Sequence, residues 1–217
     1  MFHVEDDLLF DTDNRNAIVV GQTKDGVTKQ QLTIPATVLG KAVSEIGSGV
    51  FRRNSSITAI SFSENIEMVG FSACQDCVNL AYIYFPKSTN TIRLESNAFR
   101  RCITLTGLTV LSPLEIGANA FADCMNIRTV DVNARTIERN AFSGCKLLHF
   151  VKLHGDVEIA PDAFVDCNNL SSLYIAGDVI GSLDFILNLN ENVVIYCKKD
   201  SRLLDMIHYG YKVVANI

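Results

Sequence analysis

The stretch AFADCMNIRTVDVNARTIERNAFSGCKLLHFVKL (Ala120–Leu153) spells out one unit and begins to spell it again. Ala-Phe-x-x-Cys opens at Ala120 and returns at Ala141, with apolar residues at matching distances behind each. The same pentad stands at Ala98-Phe99…Cys102 and Ala163-Phe164…Cys167. Weaker copies lie at Val50-Phe51…Asn54 and Ala73-Cys74…Cys77, and a decayed one at Asp184-Phe185…Asn188. Steps between the aromatic positions are 23, 25, 22, 21, 22 and 21 residues. A fixed period of this length signals a repeat architecture and is read before any local propensity.

With each aromatic position set as zero, other columns align. Five residues earlier stand Ile46, Val69, Leu94, Ile116, Ile137, Ile159 and Ile180. Six residues later come Ile57, Leu80, Leu105, Ile127, Leu148 and Leu170, and nine later Ile60, Ile83, Leu108, Val130, Val151 and Leu173. Eleven later come Phe62, Phe85, Val110, Val132, Leu153 and Ile175. The last two columns differ by two residues, so they share one face of a strand. Each turn is expected to give one short strand, then a return segment through the Ile and the Ala-Phe. A lone turn cannot bury its apolar face, whereas stacked turns pair strand to strand around a continuous core. The Phe column is expected to form a spine, with alanine beside it where turns crowd.

These residues resemble the BspA-like leucine-rich repeats of bacterial and protozoan surface proteins. LTIPATVLGKAVSEIGSGVF (Leu32–Phe51) is similar to that family's entry motif, and I-x-x-x-A-F-x-x-C-x-x-L to its repeat. The match runs over roughly residues 30 to 197. Departures are Cys74 for Phe, Asn54 and Asn188 for Cys, and Glu191 in an apolar column. The expected fold is a leucine-rich-repeat solenoid of the β/α superhelix type. It has a parallel sheet on its concave face and irregular or short helical returns. One domain, 1–217, is expected: an N-terminal β-hairpin cap over 1–31, about seven repeats over 32–196, and a strand-helix cap over 197–217. In the first cap Leu8–Phe10 and Ala17–Val20 read as strands joined by Asp11–Asn16, and Asp25-Gly26 as a turn. In the second, Asp200 or Ser201 begins a helix with Leu203, Leu204, Ile207 and Tyr211 at helical spacing, limited by Gly210.

Composition narrows the function. Apolar residues make up 48 % and charged residues 20 %, ordinary for a folded chain. Nineteen Lys and Arg against 24 acids give a net charge of −5, which argues against nucleic acid as the main partner. No apolar run approaches a bilayer span, so no membrane insertion is expected. MFHVEDDLLF (Met1–Phe10) lacks a basic start and an apolar stretch, so no signal peptide is expected within this chain.

Seven cysteines is an odd number, and five of them share one column, so buried free thiols are expected rather than disulfides. Cys74-x-x-Cys77 has neither the second pair that zinc needs nor a thioredoxin-like context. Asp11–Asn16 places Arg15 where calcium needs an oxygen and lacks the distal glutamate. Gly47-Ser48-Gly49 lacks the Lys of a phosphate loop. Of His3, His149, His154 and His208, only His149 and His154 are close in sequence, and no nucleophile is placed beside them. The sequons Asn54-Ser55-Ser56 and Asn169-Leu170-Ser171 read as chance triplets. No enzyme, cofactor or metal is expected.

What remains is the outward face of the strands, where residues flanking the ninth column project. Tyr82, Tyr84, Thr109, Asp131, Phe150, Lys152 and Tyr174 are the candidate binding residues. Six strands at about 4.8 Å make a surface on the order of 30 Å long. Aromatic and charged side chains there suit a protein partner. The family resemblance implies adhesion to host or extracellular-matrix proteins from the cell surface. The free thiols and the lack of a leader in this chain suit an intracellular scaffold instead.

Overall fold

The computed structural model describes residues 1–13 and 15–215; Asn14, in the first expected loop, and Asn216 and Ile217, in the last expected cap, lie outside them. The strands, in chain order, are β1 (Phe2–Glu5), β2 (Leu8–Thr12), β3 (Asn16–Gln22), β4 (Gln31–Thr33), β5 (Thr37–Val38) and β6 (Lys41–Ile46). Then come β7 (Ala59–Ser61), β8 (Met68–Val69), β9 (Tyr82–Tyr84), β10 (Ile92–Leu94), β11 (Gly107–Ile116) and β12 (Thr129–Ile137). Last are β13 (Phe150–Leu153), β14 (Val157–Ile159), β15 (Ser172–Ile175), β16 (Val179–Ile180), β17 (Val194–Cys197) and β18 (Lys212–Ala215).

The chain is a solenoid of parallel strands. The ninth-column residues pair in register from turn to turn: Leu32 with Ile60, Ile60 with Ile83, Leu108 with Val130, then Val151, Leu173 and Ile195. All eight are buried, because their side chains alternate inward while their neighbours point out. This side is the front. The Ile column, expected inside an irregular return, instead forms a second parallel sheet on the opposite side. It runs β3-β6-β8-β10 and then through the far ends of β11 and β12 to β14 and β16. β11 and β12 pass through both sides, bending where their register shifts around Ser112-Pro113.

The third side of each turn is the Ala-Phe segment, and it is not helical. Phe99, Phe121 and Phe142 N–H groups donate to the carbonyls of Ala120, Ala141 and Ala163 in the next turn, each at 2.8 Å. The two turn positions flanking the aromatic, such as Asn97 and Arg101, Asn119 and Asp123, or Asn140 and Gly144, have positive φ. Asn and Asp tolerate that region best after glycine, which is why they gather there. Helix among the described residues is confined to 3-10 segments at Gly26–Thr28, Asp184–Asn188 and Arg202–Tyr209. The short helical returns of a β/α superhelix are therefore replaced by hydrogen-bonded turns.

The Phe column stacks as a spine. Ring centroids are 5.4 Å apart for Phe99–Phe121, 5.3 Å for Phe121–Phe142 and 5.5 Å for Phe142–Phe164, with planes within 5° of parallel. Cysteine fills its column for a reason that leucine could not meet. The thiols of Cys77, Cys102, Cys124, Cys145 and Cys167 donate to the carbonyls of Phe51, Cys74, Phe99, Phe121 and Phe142, one turn back, at 3.0–3.2 Å. Those carbonyls are thus partnered inside the core. Asn54 takes the position in the first full turn, donating to Gln22 and Val27 and accepting from Ser56 and Ile57 N–H. In the last turn Asn188, at the spacing of the Cys column, is exposed and donates to Pro161 O, and Asn190 donates to the carbonyls of Cys167 and Leu170.

The ends also differ from expectation. The first is a three-stranded antiparallel meander, β1-β2-β3, whose third strand joins the back sheet beside β6. At the other end Ser201 caps Arg202–Tyr209, its hydroxyl accepting from Leu203 N–H at 3.2 Å, and Gly210 closes it at φ +89°. That segment is a 3-10 helix, Ile207 is 49 % exposed, and the ninth front strand, β18, follows.

All seven cysteines are free and buried. Burial pushes the Cys124 and Cys167 thiols up to about 12 and those of Cys74, Cys102 and Cys145 well above their ordinary value. An unfolded cysteine ionises near 8.5. Above that pH only the unfolded chain loses the protons, so ionisation favours unfolding. The expected result is a urea midpoint that holds from pH 7 to 8 and falls from about pH 9, each thiol adding up to about 1.4 kcal/mol per pH unit. A midpoint flat to pH 10.5 would contradict the buried-thiol ladder.

Candidate interaction surface

The front sheet builds this surface from the strand alternation alone. Register aligns Thr109, Asp131, Lys152, Tyr174 and Tyr196 in one outward row. A parallel row holds Gly107, Thr129, Phe150, Ser172 and Val194. Tyr82 and Tyr84, on β9, are 52 % and 55 % exposed, and Thr109 is exposed, while Asp131, Phe150, Lys152 and Tyr174 are half-buried.

The seven candidate residues all lie on this face but fall into three groups. Phe150 packs on Tyr174 at 5.3 Å, and Tyr174 stacks on Tyr196 at 4.1 Å. Burial, then the neighbouring Tyr196, hold the Tyr174 phenol above its ordinary value. Tyr82 and Tyr84 form a separate pair, centroids 6.3 Å apart and planes 15° from parallel. Thr109, Asp131 and Lys152 lie between these groups. Asp131 Oδ1 is 2.6 Å from His154 Nε2, so part of its capacity is spent within the chain.

Tyr196 escaped the sequence reading, and so did the pairing of His154 with Asp131. Ile195 sits ten residues after Phe185, not nine, because Asp184–Asn188 is a 3-10 helix in place of the usual turn. That slip took Tyr196 out of its column, although the run Val-Ile-Tyr-Cys was a usable strand signal. His154 and Asp131 are 23 residues apart, and only stacking brings them together.

The front sheet is broken between β9 and β11. β4, β7 and β9 form their own three-stranded ladder, and no ladder joins β9 to β11. The turn between them is the longest of the array, 25 residues. Phe85 leans back onto Phe62, ring centroids 4.4 Å apart, and buried Ser112 ties down the extra loop by donating to Pro86 O and accepting from Ser88 N–H. A hollow of about 350 Å³ opens at the break.

The other candidates offer less. Cys74 and Cys77 are sealed in the core, and the burial that raises Cys74 opposes the thiolate a nucleophile requires. In the Asp11–Asn16 segment, Asp11 binds the amino terminus at 2.9 Å and Asp13 accepts from Arg15 and Asn16 N–H. Asn169 is an exposed turn residue whose amide donates to Lys146 O. Among the described residues no group of three His, Cys, Asp or Glu is placed to hold a metal. Among the described residues no helix is long and apolar enough to cross a membrane.

A stacked parallel-strand solenoid with a core-only repeat places the chain among the solenoid repeat proteins. Six copies of the BspA type leucine rich repeat region match residues 29–106 and 88–188, and the chain belongs to that family. Solved structures share the fold. The T. pallidum leucine rich repeat protein TpLRR superposes with a TM-score of 0.55 at 19 % identity, over 77 % of this chain and 90 % of that one. A leucine rich cell surface protein from Faecalibacterium prausnitzii gives 0.55 at 21 %, over 83 % of this chain and 55 % of that one. A leucine-rich repeat protein from Bacteroides ovatus gives 0.53 at 16 %, over 90 % and 55 %. The chain thus spans about half the length of two of these three. A comparison with curated proteins gives no match.

Proposed function

We propose that this chain is a non-enzymatic protein-interaction module that binds a host or extracellular-matrix protein at the cell surface through its front sheet. The observation that carries the reading is the outer face itself. Aromatic residues stand exposed or half-exposed on strands whose backbone is locked by pairing, so binding orders few additional groups. Family membership supports the adhesive part, which rests on resemblance. Changing Tyr82, Tyr84, Phe150 and Tyr174 together to Ala removes anchors from both aromatic groups while leaving the core intact. In a solid-phase assay on immobilised fibronectin, the parent is expected to bind saturably. The fourfold variant is expected to lose at least about 2 kcal/mol of affinity, as hot-spot truncation does. Equal binding by both would overturn the front-face reading.

Seven reduced, buried cysteines favour a second reading, an intracellular scaffold of the same fold, because free thiols persist best in a reducing compartment. Antibody labelling of intact against permeabilised source cells separates the two. Signal on intact cells supports the adhesin, and signal only after permeabilisation supports the scaffold.

A further inference from the structure

The break between β9 and β11 brings together three features that suit one kind of ligand. Resting on the front-face reading, we propose that it seats an uncharged, proline-rich segment in the polyproline II conformation, against Tyr82 and Tyr84. The first feature is shape. The hollow of about 350 Å³ is lined on the β9 side by Tyr82, Tyr84 and their neighbours Ile83 and Phe85, and on the β11 side by Thr106, Gly107 and Thr109. Gly107 places no side chain there, so the side facing the rings stays open. Aromatic-lined grooves of this kind accept the ridged, apolar surface of polyproline II.

The second feature is hydrogen bonding. A polyproline II chain has no internal hydrogen bonds, so its carbonyls remain free, and prolines bring no N–H. Such a ligand needs donors only. The exposed phenols of Tyr82 and Tyr84 and the hydroxyl of Thr109 are donors at the rim. Strand alternation also aims the Ile83 peptide group towards β11, where the ladder is missing. A strand-forming peptide would also need a run of backbone acceptors in register, and on β9 the break offers only the Ile83 carbonyl.

The third feature is charge. The outward residues of β4, β7, β9 and β11's front half carry no acid or base besides the tyrosine phenols. Charges resume only with Asp131 and Lys152 on the next two strands. The stiffness of polyproline II means that little chain entropy is lost on docking.

Decaproline is the probe. The chain has six tyrosines and no tryptophan, so tyrosine fluorescence follows the titration, with calorimetry alongside. Saturable binding is expected, weakened about tenfold or more by Tyr84→Ala and by Gly107→Val, which fills the hollow. A Cβ at Gly107 meets only the Thr129 hydroxyl at 3.3 Å and its carbonyl at 3.4 Å, and Tyr84→Ala carries the test should Gly107→Val fail to fold. Phe150→Ala with Tyr174→Ala is expected to leave decaproline binding unchanged. No saturation at millimolar decaproline overturns the proposal, as does undiminished binding by Tyr84→Ala. Binding of a Thr-Val repeat peptide in place of decaproline also overturns it, yet leaves the front-face reading standing. That reading falls only with the fourfold variant.

Discussion

Phe121→Ala is expected to lower unfolding stability by about 3–5 kcal/mol, the range for truncating a buried Phe. Phe121 is fully buried and contacts a ring on each side, Phe99 at 5.4 Å and Phe142 at 5.3 Å. Truncation leaves a cavity in the middle of the spine, and the surrounding turns cannot collapse into it. Their spacing is fixed by the bonds from Phe99 to Ala120 and from Phe121 to Ala141. In a solenoid each turn touches only its neighbours, so the weakened joint also lowers the coupling between the two halves. Urea denaturation followed by circular dichroism reads both effects, as a lower midpoint and a broader transition. Phe71→Ala is the control. Phe71 is 53 % exposed, and its loss is expected to change stability by less than about 0.5 kcal/mol. Similar losses at the two positions would mean that the spine does not carry the fold.

Gly177→Ala is expected to cost about 3 kcal/mol, the upper end for overpacking. A Cβ at Gly177 would lie 2.2 Å from both the carbonyl carbon and oxygen of Gly155 and 2.5 Å from Asp156 N. These are backbone atoms of the preceding turn and cannot rotate aside. Relief requires the turns to separate, which strains Ala176 N–H to Leu153 O, Val157 N–H to Asp178 O, and Asp178 N–H to the Asp156 carboxylate. Gly40→Ala makes a useful contrast, since Gly40 has φ +73° but nothing within 4 Å of the added atom. Its cost is the backbone preference alone, about 1–2 kcal/mol. Thermal unfolding of the two variants is expected to rank them in that order, and the reverse ranking would show that the turns are not held at backbone contact.

The legible part of this molecule is the part that repeats. A two-residue offset between apolar columns fixed the inward and outward faces of the front strands, and with them the positions of Tyr82, Phe150 and Tyr174. The Ile column misled because β8 and β16 are only two residues long, too short for alternation to register against a background of turns. Tyr196 was hidden by a one-residue slip in the last turn. The sheet break was present in the sequence only as a 25-residue step. Its consequence depends on where Ser112 anchors the extra loop, which no local pattern reports.

The hydrogen bonds that join one turn to the next lie along the solenoid axis on the back, on the Ala-Phe side and, except at the break between β9 and β11, on the front. A pull on the two ends therefore loads them in series, and the array yields at its weakest joint before the next joint feels more. Each turn that peels off releases 21 to 25 residues, roughly 75 Å of extended chain. Under tension the molecule is an extensible tether, lengthening in increments set by its own repeat, while the turns still stacked keep their faces intact.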